Sequence, residues 1–453
     1  MNTAHLGGNC MNNIKTRVSP LHEMLTDFVE NGPFTGLAIG IVKDTEVIFT
    51  GEYGAANVAT GAPVLSSTLF HQASVSKTFV VTAVMQLVER GQVELDSPVK
   101  NYLPYFKMED ERYLQITVGQ LLNHTSGMPD EEDYAWDRPE YDEESLERYV
   151  KSISRHKLLS EPGTHFAYSN IAYEILGDLI AKVSGLSFEQ YMNEHMLERA
   201  GMTSSSFLKQ EVETALAAPH VLKNSAGYGP GVSEVFPYNR AHAPSSTLYT
   251  NAQDMCQYML MQLSQGKAKD RYNALQPGSY DLMWNPTMAT GWGPEHEQVG
   301  LGWFLGEYKG SRILSHSGWD TGFLSDLILF PDDHIGISIM TNCDYVWLGS
   351  VTYPILDLLL GSDISQLKQS MAHRVTKVAV TNGVDKALEE YQRINSLEQD
   401  KHYYVDFEFV RVSDTLSWRG HREEAIRVLT CAAAIFPDSE SVSGRLKGLM
   451  AEA

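Results

Sequence analysis

Apolar residues along the chain change their period several times, and each change marks an element. From Leu21 to Glu30 they recur at three- and four-residue spacing, the stripe of an amphipathic helix. Two short apolar runs follow, Thr35 to Val42 and Val47 to Phe49, and the polar Lys43-Asp44-Thr45 between them predicts a hairpin turn. Ser74 opens a longer periodic segment through Val80, Val81, Val84, Met85 and Leu87, with Gly91 just past its end, where helices commonly stop. A second helical block runs from Ile171 to Lys182. The stretch 107–162 before it is rich in charge, aromatics and loop residues and reads as part of a mostly helical subdomain. A loop-rich region from Thr203 to Pro244 comes next. Thr250 or Asn251 then caps another helix, with Asp254 in its first turn.

The period now falls to two. Val299 to Leu305, Arg312 to Ser315, Leu324 to Phe330 and Ile335 to Thr341 predict consecutive antiparallel strands, with turns at Lys309-Gly310 and Pro331-Asp332-Asp333. A helix from Val351 to Leu360 closes on them. Strands at both ends and helices in the middle imply one sheet assembled from distant segments. The expected class is α+β: a mostly antiparallel sheet flanked by helices, beside an inserted all-helical subdomain. From Asp363 the pattern is helical again, over Val384–Ser396, Phe407–Trp418 and Arg422–Ile435. The last pair resembles a tetratricopeptide hairpin, and roughly three such units are needed for a free-standing solenoid. The extension is therefore expected to cap the catalytic unit, with an oligomerisation or partner surface as the alternative. The expected division is a tail at 1–19, a catalytic unit at 20–362 and a helical extension at 363–453.

Composition narrows the partners. The 453 residues carry 35 Lys+Arg against 57 Asp+Glu, a formal net charge of -22. Such a surface repels phosphate backbones and anionic headgroups, so neither nucleic acid nor a membrane is expected as a partner. Cys10, Cys256, Cys343 and Cys431 are scattered, which signals neither a zinc site nor a disulfide framework, and no metal or cofactor is expected. The first twenty residues lack the apolar run of a secretory signal, and no stretch reaches the roughly 18 apolar residues that span a bilayer. Cytoplasmic residence is the expectation.

Three segments carry candidate chemistry. FHQASVSKT at 70–78 places S-x-x-K at a helix start, so that the Lys77 amine shares a face with the Ser74 hydroxyl. A serine needs a base, and a lysine serves once burial or positive charge pulls its pKa down from about 10.4. FAYSN at 166–170 offers Tyr168 as a proton relay and Asn170 as an amide to orient a substrate carbonyl and bond Lys77. LSHSGW at 314–319 lies on a predicted strand. Its edge invites a substrate backbone to pair, and the N–H of Trp319 completes an oxyanion hole with that of Ser74. His316 supplies a donor or a titratable charge, flanked by Ser317 and Gly318.

Taken together, in this order, these motifs resemble the serine β-lactamase and penicillin-binding-protein superfamily. The likeness lies with its class C-like branch of class C β-lactamases, D-aminopeptidases and family VIII carboxylesterases. The resemblance covers residues 20 to 362 and extends to LLNHTSG at 121–127, Pro162-Gly163, APSSTL at 243–248 leading into Asp254-Met255, and Met340-Thr341-Asn342. It implies acylation of Ser74, proton handling by Lys77 and Tyr168, and substrate binding by Asn170. It also implies a site at the junction of the sheet and the helical subdomain. The third motif departs from the Lys-Thr-Gly of true β-lactamases: His316-Ser317-Gly318 is a weaker, pH-dependent anchor for a carboxylate, so efficient penicillin hydrolysis is not expected. Tyr134, Trp136, Tyr141 and Tyr228 are candidates for an apolar acyl pocket.

The expected activity is hydrolysis of an ester or amide of a small acyl compound or short peptide. A D-aminopeptidase-type peptidase and a transacylase are alternatives on the same residues. A catalytically silent ligand-binding or scaffold protein is the alternative of another class. A homo-oligomer through the C-terminal helices is the assembly that the alternative reading of the extension would give.

Overall fold

A computed structural model describes residues 14–131, 133–223 and 228–451; Cys10 and most of the expected tail lie outside them. Numbering only the principal elements, the chain runs α1 (Leu21–Asn31), β1 (Gly36–Lys43), β2 (Glu46–Asn57), α2 (Ser76–Glu89), α3 (Asn170–Ser184), α4 (Ala252–Leu263), β3 (Phe304–Tyr308), β4 (Ser311–Asp320), β5 (Phe323–Phe330), β6 (Ile335–Thr341) and α5 (Gly349–Leu359). The C-terminal helices are α6 (Met371–Asn382), α7 (Val384–Leu397), α8 (Asp406–Trp418), α9 (Arg422–Ile435) and α10 (Glu440–Ala451).

One nine-stranded antiparallel sheet dominates, in the order β2-β1-β6-β5-β4-β3, with two-residue strands extending both margins. The ends of the catalytic unit meet at its centre: Leu37 opposes Thr341, Ile39 opposes Ile339 and Ile41 opposes Ile337. These central strands are covered on both faces, which is why β1 and β6 read as continuous apolar runs rather than alternating ones. Alternation survives in which core each residue joins. Ala38, Val42, Leu327 and Met340 pack with α2, α3 and α4. Leu37, Ile39, Ile337 and Ile328 pack with α1, α5 and the C-terminal helices. α2 is buried on nearly all sides, each large apolar residue contributing on the order of 1.5–3 kcal/mol.

Three differences from the sequence expectation have physical causes. Among its described residues the segment 107–162 is mostly irregular, with short α-helices at Val118–Leu122 and Ser145–Ser152 and 3₁₀ turns at Glu111–Gln115 and Ile153–Arg155. It lacks a sustained 3.6-residue apolar stripe, and polar contacts such as the Arg112 guanidinium on Asp110 and Glu161 hold it instead. The expected strand 299–305 is broken, because Gly302 takes a positive φ of 68° between Val299 and Phe304. The extension holds two helices the pattern did not separate, α6 and α10. Its apolar residues, among them Val375, Phe409 and Leu429, are continuous with the core under α1 and α5. Among the described residues no helix is long and apolar enough to cross a membrane.

Candidate active site

Ser74 sits in a single 3₁₀ turn, Ala73–Val75, that leads into α2. Its N–H belongs to the first-turn groups that a helix leaves unpaired. Ala73 before it is held at a positive φ of 47°, a conformation that costs a non-glycine residue energy and persists only under surrounding constraint. That constraint is visible. The Gln72 N–H donates to the Leu248 carbonyl, the Ser325 hydroxyl donates to the Gln72 carbonyl, and His71 Nε2 lies 2.7 Å from Asp320 Oδ2.

Lys77 Nζ donates to Ser74 Oγ at 3.0 Å and to the Ser245 carbonyl at 2.9 Å. The residue is completely buried, and burial, opposed by the charges of Glu174, Asp130 and Asp320, brings its amine down to about 8. Roughly a tenth of the molecules therefore hold a neutral amine at pH 7, enough for a base. Glu174 on α3 organises this corner: it accepts from the Ser245 N–H and hydroxyl and meets His242 Nδ1 at 3.1 Å. The sequence expectation that Asn170 bonds Lys77 is not met; a main-chain carbonyl takes that place.

The opposite wall is largely unpaired. The Tyr168 hydroxyl is buried with only the Ser74 hydroxyl beside it. Burial raises its pKa well above tyrosine's usual value, and the neighbouring Ser74 hydroxyl pulls it partway back. Its ring stacks on His124 at 4.4 Å and lies 5.2 Å beneath Lys77 Nζ. Asn170 spends its amide nitrogen on Asp130 at 2.9 Å, and its Oδ1 has no partner, so the group it presents is an acceptor for a donor. His316 Nδ1 lies 2.9 Å from the Ser317 carbonyl, so that nitrogen carries the proton and Nε2 is an unpaired acceptor. Burial first, then the Lys77 charge, brings this imidazole down to about 3. His316 is thus neutral across the working range, which corrects the expectation of a titratable charge or pH-dependent cationic anchor.

Strand geometry places the main-chain groups. β3 pairs with residues 311–315 and then ends, so residues 316–320 of β4 keep β5 on one side and a free edge on the other. The hairpin closes with Asp320 opposite Phe323, and the alternation of an antiparallel ladder then turns the N–H groups of Ser317 and Trp319 toward that edge. Gly318 is required here: a Cβ would stand 2.2 Å from the Gln72 carbonyl oxygen and 2.5 Å from Ser325 Oγ. Its absence lets β4 press against the nucleophile turn.

A cavity of ≈ 510 Å³ joins Ser74, Tyr168, Asn170 and His316 to the far side of this edge. Its aromatic walls are Trp292, Phe304, Trp319 and Trp347, which replace those expected from the sequence. Tyr134 stacks on Trp136 beside His242, Tyr141 packs on Tyr238, and Tyr228 joins the core under α1 and α5; none lines the cavity. Residues missed from the sequence are Ser245, whose carbonyl gives no side-chain signal, and Asp130, Glu174 and His124, which act one contact away.

The sequence matches the Beta-lactamase family over residues 21–354. Penicillin-binding protein 4 of Amycolatopsis lactamdurans is 28% identical over 323 residues, covering 68% of this chain and 81% of that protein. Protein flp of Staphylococcus aureus (strain MW2) is 27% identical over 318 residues, covering 69% of this chain and 61% of its own length. Among solved structures, the octameric penicillin-binding protein homologue from Pyrococcus abyssi superposes with a TM-score of 0.65 at 24% identity, over 83% of this chain and 82% of that one. The D-amino acid amidase from Ochrobactrum anthropi SV3, complexed with L-phenylalanine amide, gives 0.61 at 23% identity, over 78% and 97%. At these identities the two structures speak to fold alone. The chain spans about three fifths of the length of the flp relatives it matches, and with the family match covering well over half of its own length, this chain belongs to the Beta-lactamase family.

Proposed function

We propose that the protein hydrolyses an ester or amide of a small acyl compound or short peptide through an acyl-enzyme on Ser74. The observation that carries this reading is the buried Lys77 amine, brought down to about 8 and 3.0 Å from the Ser74 hydroxyl. Lys77 takes the Ser74 proton as Oγ attacks the substrate carbonyl carbon. The N–H groups of Ser74 and Trp319 hold the resulting oxyanion. Collapse breaks the bond to the leaving group, which receives a proton through the Tyr168 hydroxyl. Water then adds to the acyl carbon and gives a proton to Lys77, helped by Tyr168; that proton returns to Ser74 Oγ as the acyl–oxygen bond breaks and the acid leaves. The unpaired Asn170 Oδ1 accepts an N–H from the acyl part.

Hydrolysis of p-nitrophenyl butyrate beside the Ser74→Ala variant tests this reading. Turnover that persists in the variant would sink it, and so would failure of a fluorophosphonate to label Ser74. The peptidase and transacylase alternatives use the same groups, and product analysis with an added amine or alcohol separates them from simple hydrolysis. A homo-oligomer stands beside this as a proposal, prompted by the octameric Pyrococcus protein and tested by light scattering.

A further inference from the structure

The C-terminal extension reaches the catalytic cleft through one helix. α8 carries Arg411 and Trp418, seven residues apart and so on one face, and Arg419 follows at its C-terminus. All three lie beyond residues 21–354, the part of the chain that the family covers.

This end of the extension meets the β4–β5 hairpin at two points. At the first, the Arg411 guanidinium carbon lies 4.8 Å from the Trp319 ring centroid, and the Trp418 ring lies 6.0 Å from it. Two groups of the extension thus pack on one side chain of β4. At the second, Asp344 Oδ2 accepts from the Gly322 N–H at 2.9 Å and from Arg419 Nη2 at 2.5 Å, which ties the hairpin's tip to the end of α8. Thr321, also at the tip, shares a cleft with Trp418 and Arg419.

These props are themselves fixed. Arg411 donates to the Val346 carbonyl at 3.3 Å, and the charges of Glu408, Asp326 and Asp344 act on it against the cost of burial. Its guanidinium stays charged, and a cation beside an indole is drawn to the ring's negative face. Asp344 is buried and has Arg419 as its ion-pair partner, so removing that arginine strands a buried carboxylate.

What they hold is the part of β4 with least support of its own. Residues 316–320 pair with β5 alone, and their other edge faces the cleft. The Trp319 N–H on that edge is the donor that the proposed mechanism sets against the oxyanion. Such a donor works only while it is held in place, and a shift of about 1 Å costs on the order of 10²-fold in rate.

We propose that the extension braces the oxyanion hole: Arg411 and Arg419 are positioning residues that hold the β4–β5 hairpin, and with it the Trp319 N–H, in place beside Ser74. The inference rests on the hydrolase reading and gives α8 a part in it.

Arg411→Met and Arg419→Gln in the full chain test the brace by two readouts. Hydrogen exchange over residues 316–324, read by mass spectrometry, is expected to quicken about tenfold in either variant while exchange in α2 stays as it was. Turnover of p-nitrophenyl butyrate, divided by the fraction of Ser74 that a fluorophosphonate labels, is expected to show kcat lowered about tenfold with KM kept. Outright loss of an oxyanion donor costs about 10²–10³-fold, so a displaced one costs less. The pH midpoint set by Lys77 stays in place, because the brace acts on the other wall. Arg411→Lys keeps a cation beside the ring and restores most of the rate. Hairpin exchange or per-site kcat that stays at the wild-type value overturns the proposal, and so does exchange that quickens equally in α2, the mark of a general loss of stability. Trp418→Ala, at a side chain 63% exposed, gives the same comparison with a smaller change where an arginine variant fails to fold. Turnover that survives Ser74→Ala refutes the hydrolase reading, and the exchange comparison still decides whether α8 holds the hairpin.

Discussion

The two walls of the cleft are built on opposite principles. On the α2 side the polar groups around the lysine are paired: Lys77 with Ser74 and the Ser245 carbonyl, Ser245 with Glu174, and Glu174 with His242. Across from it Asn170 Oδ1 and His316 Nε2 are buried with no partner among the described residues, and Tyr168 Oη has only the Ser74 hydroxyl beside it. Leaving a buried polar atom unpaired costs about 1–3 kcal/mol, a cost that a substrate bonding to both acceptors would offset. In the proposed mechanism the paired wall sets the protonation state of Lys77, and the facing wall supplies recognition and proton transfer. Their difference says that the chemistry is preorganised and that the substrate completes the hydrogen bonding.

The hardest blow to that division is Ser74→Ala, expected to lower turnover of p-nitrophenyl butyrate about 10⁴-fold or more with the circular dichroism unchanged. Lys77→Met removes the base while keeping the volume, for a loss of about 10³-fold. The same change relieves a buried amine of its desolvation and is expected to raise the melting temperature, read by calorimetry. Gly318→Ala forces β4 off the nucleophile turn and shifts the Trp319 N–H, for a loss of about 10²-fold in kcat/KM. His316→Leu deletes one unpaired acceptor and is expected to cost about tenfold.

The smallest effect reads the paired wall alone. Lys77 acts as its neutral amine, so the wild-type rate rises with pH until about 8 and then levels. Glu174 favours the ammonium form, so Glu174→Gln moves that midpoint to lower pH. A midpoint that stays in place, or moves upward, would show that another group is the base.

Much of this was readable in advance because it rests on local pattern. S-x-x-K at a helix start puts two side chains on one face, and the apolar runs at 35–42 and 335–341 mark central strands. The Lys309-Gly310 turn, with φ of 50° and 85°, needs the left-handed pair that sequence suggests. What escaped depends on long-range burial. A histidine's neutrality follows from what covers it, and nothing around His316 in sequence announces burial enough to bring it down to about 3. The Ser245 carbonyl is a backbone atom that any residue could offer. Arg411 lies nearly a hundred residues past Trp319 and meets it only because α8 packs on the sheet face behind β4. Tyr134, Trp136, Tyr141 and Tyr228 went astray for the same reason: aromatics in loops anchor those loops unless a cavity reaches them.

The pairing of β1 with β6 also governs how the protein is made. Residues 36–43 leave the ribosome some three hundred residues before their partners at 335–341. Until then one hydrogen-bonding edge of β1 has no partner, at a synthesis rate of roughly 5–20 residues per second. Closing so long a loop is slow, and the exposed edge is a template for wrong partners. Expression yield should therefore respond to chaperone supply and to lower growth temperature more than to any change at the active site.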